Sequence, residues 1–135
     1  MNEEQRKFAA EANVAIFSSV DGKGRPHATP VWYLFDGEEF LVSVGRGSQK
    51  HRNVERNPNV AIVIDSRAVP YYALMISGAA EIGPPFNDEQ RTELAVRYLG
   101  EALGKRYVEA TKANDSVSLR LKPRKVMEYS GRAGR

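Results

Sequence analysis

The stretch Gly45-Arg46-Gly47-Ser48-Gln49-Lys50-His51-Arg52-Asn53 holds the chain's most chemically pointed spacing. Its two glycines permit close backbone approach and positive φ, Ser48 offers a hydroxyl where a helix would begin, and Lys50 falls in the first helical turn. Such a junction can aim backbone N–H groups, the positive end of a helix dipole and an ammonium at one anion, above all a phosphate. Lys50 and Asn53, three apart, would share a helix face. On spacing alone, a capped surface helix with a solvated basic stretch accounts for the same residues. The pattern is not a Walker loop, because Gly-x-x-x-x-Gly-Lys is absent, nor a dinucleotide fingerprint, because the surrounding strands read as antiparallel.

The rest of the chain offers little chemistry of its own. It has no cysteine, which removes thiolate nucleophiles, thiolate metal sites and disulfides, and its two histidines, His27 and His51, are poor material for a metal centre. Ser-His-Asp sets and paired catalytic carboxylates cannot be assembled, so no catalytic residue is assigned, and any reaction is expected to belong to a bound cofactor. Trp32 and Tyr33 fit a core or an interface as readily as a ring platform. A net charge of +3 leans towards anionic partners without the basic density of a nucleic-acid binder. The charged N-terminus leads into no apolar segment, and no apolar run reaches about 18 residues. The expectation is a cytoplasmic protein with no membrane and no nucleic-acid partner.

The elements that must position the loop follow from periodicity. At 135 residues the chain reads as one domain spanning 1–135. Residues 3–12 suggest a short amphipathic helix, and 14–20 and 27–35 suggest strands joined by the Asp21-Gly22-Lys23-Gly24 turn. Asp36-Gly37 turns the chain into a third strand over 40–44, which ends at the basic loop. Pro30 cannot donate to a ladder, which predicts a bulge or a sheet edge there. Gln49 to Arg56 should be helical, capped by Ser48 and stopped by Asn57-Pro58. The apolar run 60–64 reads as a strand buried on both faces, and 71–82 as a strand with a bulge at Gly78. Residues 87–113 read as helical with a break at Gly100 or Gly104, and 116–121 continuing through 126–129 as the last strand. Six largely antiparallel strands with flanking helices most economically close into a small barrel.

The succession Gly24-Arg25-Pro26-His27-Ala28-Thr29-Pro30-Val31-Trp32-Tyr33, Asp36-Gly37, Ser43, then Gln49-Lys50-His51-Arg52-Asn53-Val54-Glu55-Arg56-Asn57-Pro58 resembles the pyridoxamine 5′-phosphate oxidase-like FMN-binding split β-barrel superfamily. Within it the chain is most similar to the class B branch of flavin/deazaflavin oxidoreductases that use coenzyme F420. The match spans about 12–81, and Lys-x-Arg-Asn-x-x-x-Asn-Pro is its most specific part.

The resemblance implies a homodimer with two cofactor sites at the subunit interface, each built from both chains. Lys50 and Ser48 would hold the cofactor phosphate, Asn53 would support that site, and Arg52 and Arg46 would add positive field. Several relatives carry arginine where Ser48 stands, so the second phosphate contact falls to Ser48 or to Arg46. Ser43, Val44, Pro30, Val31 and Trp32 would line the tricyclic ring, covered by Tyr71 of the other chain. The implied reaction is hydride transfer from reduced F420 to an electron-poor conjugated small molecule. An FMN-dependent oxidoreductase of the same fold, or a non-catalytic flavin, haem or tetrapyrrole carrier, are the alternatives. An F420 tail rich in carboxylates would suit an open basic channel, which Arg25, Arg46 and Arg56 could line. True pyridoxamine 5′-phosphate oxidases use a characteristic C-terminal segment with basic and aromatic residues, whereas the segment here, Met127 to Arg135, is short, so vitamin B6 oxidation is not expected.

Overall fold

The computed structural model describes residues 1–131; the segment from Met127 to Arg135 therefore ends outside the described residues. In chain order the elements are α1 (Glu3–Ala9), β1 (Ala15–Val20), β2 (Pro26–Val31), β3 (Leu34–Phe35), β4 (Phe40–Gly45) and α2 (Gln49–Arg56). They are followed by β5 (Asn59–Ser66), β6 (Tyr72–Gly83), α3 (Asp88–Leu99), α4 (Glu101–Ala110) and β7 (Ser116–Ser130). All strands join one antiparallel sheet in the order β2-β1-β5-β6-β7-β4-β3. Phe17 near one edge of that sheet and Phe40 near the other share a single buried cluster with Ile62, Leu74 and Leu119. Strands so far apart in the ladder can meet only if the sheet curls around its core. The result is a split half-barrel whose edge strands β2 and β3 are not paired with each other.

The sheet has seven strands where six were expected, because the run 27–35 divides into β2 and β3. Tyr33 forces the division. Its ring is fully buried beside Phe40, and its hydroxyl donates to the Ala9 carbonyl at 2.7 Å, so the chain turns inward instead of continuing the ladder. Burial pushes the Tyr33 phenol well above its ordinary pKa, which keeps it a donor. The Tyr33 N–H, deprived of a ladder partner, donates to the Tyr98 hydroxyl at 3.3 Å, and that hydroxyl donates to the Asn13 carbonyl at 2.9 Å. The strand break is thereby tied to α3.

Pro30 sits on an edge strand, as a residue without an N–H should. The expectation that 60–64 is buried on both faces needs correction: Val60, Ile62 and Ile64 are buried, whereas Ala61 and Val63 are only half-buried on the outer face. A register shift between β6 and β7 falls at Ser77/Gly78, where Gly78 pairs with Pro123 and Ser77 with Lys125. Asn87 caps α3 in a reciprocal box with Gln90, and Gly100, at φ 82°, separates α3 from α4. Among the described residues no helix is long and apolar enough to cross a membrane.

Candidate cofactor site

The basic loop runs directly from β4 into α2. Gly47 adopts φ 77°, a conformation that strains any side chain, and its N–H donates to His51 Nδ1 at 2.9 Å. Ser48 caps α2 by accepting the His51 N–H. The N–H groups of Gln49 and Lys50 precede the first intrahelical bond and remain available at the positive end of the helix. Lys50 is half-buried, and its Nζ donates to Thr29 Oγ1 at 3.2 Å, which draws the ammonium against β2. The donor set is an ammonium, a hydroxyl and helix N–H groups around a glycine-shaped turn, a chemistry that suits a phosphate group.

That loop opens on a cleft of about 610 Å³, within the range of roughly 300–1,000 Å³ typical of small-molecule sites. Pro30, Val31 and Trp32 line it from the end of β2, and Ser43, Val44, Ser48 and Lys50 from the β4–α2 side. Val44 is largely buried, so it contributes only a small part of its surface. The remaining proposed residues lie elsewhere. Asn53 is fully buried; it donates to Ser19 Oγ at 3.0 Å and accepts from Gln49 Nε2 at 2.6 Å, which fixes α2 to β1 behind the cleft. Arg52 donates to Gln49 Oε1 at 2.7 Å on the exposed side of α2. Arg46 pairs with Asp115 at 3.0 Å, closing one rim of the cleft. Tyr71 is 55% exposed and does not line the cleft of its own chain.

The basic channel is not formed as expected, since Arg25, Arg46 and Arg56 do not line the cleft. Arg25 is bound to Asp21 at 2.8 Å, and the Arg56 guanidinium packs over Gly22 in the same hairpin turn. Asp21 organises this turn. It accepts from the N–H groups of Arg25 and Lys23, each at 2.9 Å, and His27 Nε2 lies 3.3 Å from it. These contacts hold its carboxyl well below the usual range. The Arg25 N–H is the chief cause, against the opposing effect of burial, and the Lys23 N–H, the Arg25 guanidinium and His27 add to it. A carboxyl whose folded-state pKa is depressed stabilises the fold above its unfolded value, about 3.9, and that contribution disappears as pH falls towards the folded value. Thermal melts of the Asp21→Asn variant should therefore show a shallower loss of stability below about pH 4 than the parent protein. Parallel curves would remove Asp21 from the acid response.

The other wall of the cleft was missed by sequence reasoning. It is built from α3 and α4 and includes Arg91, Leu94, Tyr107 and Thr111. Trp32 stacks on Tyr98 at 5.0 Å with ring planes 5° apart, and Tyr107 meets it at 5.5 Å and 53°. The spacing 91, 94, 95, 98 is a helix face readable in the sequence. Nothing in that face says which strand it covers.

A half-barrel sheet, with the start of α2 and Lys50 opening on a cleft of about 610 Å³, defines the class. The chain belongs to the pyridoxamine 5′-phosphate oxidase family, whose model matches residues 1–130. Solved structures agree in fold. A conserved hypothetical protein from Mycobacterium tuberculosis superimposes with a TM-score of 0.78 at 23% identity, over 98% of this chain and 86% of that one. An F420 reductase gives 0.77 at 23% identity over 94% and 98%, and a haem-binding protein from Mycobacterium smegmatis gives 0.70 at 24% over 98% and 55%. The architecture thus serves proteins with different cofactors.

Proposed function

We propose that the protein is an F420-dependent oxidoreductase acting on an electron-poor conjugated small molecule. The observation that carries this reading is the opening of the Lys50 and Ser48 anion site onto the same cleft that Pro30, Val31 and Trp32 line. Lys50, the Ser48 hydroxyl and the free N–H groups of α2 would hold the phosphate. Trp32, backed by Tyr98, would orient the ring. The bound cofactor would supply a hydride to the acceptor; the chain's own work is binding, orientation and exclusion of water.

We further propose that the functional unit is a homodimer. On the outer face of the sheet, the register aligns Pro30, Ile16, Val63, Met75 and Met127 in one row across β2, β1, β5, β6 and β7. Ile16 is 37% and Met127 48% exposed. A second copy would cover this row, and because Pro30 belongs to both the row and the cleft lining, the copy would approach the site itself. That arrangement is what a contribution from the partner's Tyr71 needs.

The alternative haem reading has less support from the side chains. His51 Nδ1 accepts the Gly47 N–H, His27 is directed at Asp21, and neither lines the cleft. Titration of F420 and of FMN into the protein, read by the fluorescence of its single tryptophan Trp32, tests the proposal. F420 should bind the more tightly, and light scattering should return twice the chain mass. Tighter FMN binding would replace the cofactor assignment, and a monomer that binds cofactor would overturn the shared site.

A further inference from the structure

We propose that the α3–α4 wall of the cleft is the recognition site for the acceptor, and that it selects a flat conjugated molecule bearing a carboxylate, which Arg91 binds. This rests on the proposed function, because it supplies the acceptor's chemical class.

Arg91 is oriented before any ligand arrives. Its Nη2 donates to the Val108 carbonyl at 2.8 Å and to Thr111 Oγ1 at 3.1 Å, which anchors the guanidinium to the C-terminal end of α4. The N–H groups of Nη1 and Nε have no hydrogen-bond acceptor among the described residues. The nearest carboxylate, Asp88, stands 3.7 Å from Nη1 with its side chain wholly exposed. Solvent screens such a pair strongly. The Arg91 side chain is 23% exposed and lines the cleft, so its remaining donors sit in a partly shielded setting. A guanidinium with a planar fork still open is suited to a carboxylate.

The surface beside it is apolar and angular. Leu94, half-buried, follows Arg91 at three residues on the same face of α3, with Ala95 and Phe86 behind it, both largely buried and contributing only a small part of their surface. Tyr107, 45% exposed, meets Trp32 at 53° and forms an aromatic corner. Such a corner favours a thin, flat π-system. Lys50 and Arg91 lie on different walls of the same cleft, on α2 and α3 respectively, so the site offers two separate cations for two separate anions.

The test uses the full chain, with trans-cinnamate as the flat conjugated carboxylate and cinnamamide as its neutral counterpart, both titrated by calorimetry. Cinnamate should bind at least tenfold more tightly than cinnamamide. Arg91→Gln should lose roughly tenfold or more in cinnamate affinity, the scale of a charged hydrogen bond, and leave cinnamamide unchanged. Lys50→Ala should keep cinnamate affinity while binding F420 roughly ten- to a hundredfold more weakly. Equal affinity for the two probes would overturn the proposal, as would loss of cinnamate binding in Lys50→Ala, which would put the carboxylate on Lys50. If Arg91→Gln does not fold, the probe pair in the parent protein and in Arg91→Lys still decides, since Lys should retain only part of the discrimination. Failure of F420 to bind, with the probes still discriminated, would remove the hydride reading and leave the carboxylate site standing.

Discussion

Replacing Gly78 by alanine should destabilise the protein by about 3 kcal/mol or more, the upper range for overpacking a rigid site. Gly78 is buried in β6 opposite the irregularity in β7, and a Cβ built there would lie 2.0 Å from the Lys122 carbonyl oxygen and 3.2 Å from the Arg124 N. Both obstacles are backbone, so no side-chain rotation relieves them. Either β6 and β7 separate, or the bulge moves and the ladder beyond it changes register. The expected drop in Tm is on the order of 10 °C for a chain of this size. Gly83→Ala is the control: its Cβ would meet only the Ser118 hydroxyl at 2.9 Å, which can rotate away, so its effect should be much smaller. Equal melting of both variants would show that the close approach at Gly78 is dispensable.

Lys50→Ala should weaken F420 binding by about 1.5–3 kcal/mol, or roughly ten- to a hundredfold, with the fold intact. The fold should survive because, among the described residues, the Lys50 ammonium makes a single hydrogen bond, to Thr29, and is not buried in the core. The loss should shrink as salt rises, since half-exposed charge pairing is screened. Ser48→Ala differs in kind. It removes the α2 cap as well as a hydroxyl, so it should lower thermal stability by about 1 kcal/mol together with affinity. An unchanged dissociation constant in Lys50→Ala would remove the ammonium from the site and with it the main support for the proposed function.

Local chemistry explains what was readable in advance. The turns at Asp21–Gly24 and Asp36–Gly37 bracket the first strands, and Ser48 and Asn87 cap the helices that were expected to begin there. Gly78 marks the irregularity, because only glycine allows a neighbouring carbonyl so close. The geometry of the loop 45–53 was readable because a glycine at positive φ, a capping hydroxyl and a first-turn lysine act over a few residues. The division of 27–35 was not readable. Trp32 and Tyr33 have the composition of a strand, and only the burial of the Tyr33 ring against Phe40, with its hydroxyl on Ala9, breaks the ladder.

Interactions between near neighbours thus made legible in the residues the Ser48-capped start of α2 with Lys50 in its first turn, the alternating strands and the positions of most turns. Tertiary structure decided which charges are free to act. Asn53 became a buried strut, Arg25 was bound by Asp21 and Arg46 by Asp115, while Lys50 was left at the cleft. It also brought α3 and α4 over Trp32 and placed Arg91 in the opposing wall. Apart from the Arg25–Asp21 pair, which is local to one turn, these pairings join residues about 30 to 70 positions apart, and their partners are chosen by the curl of the sheet and by the packing of the helices, which no local pattern encodes.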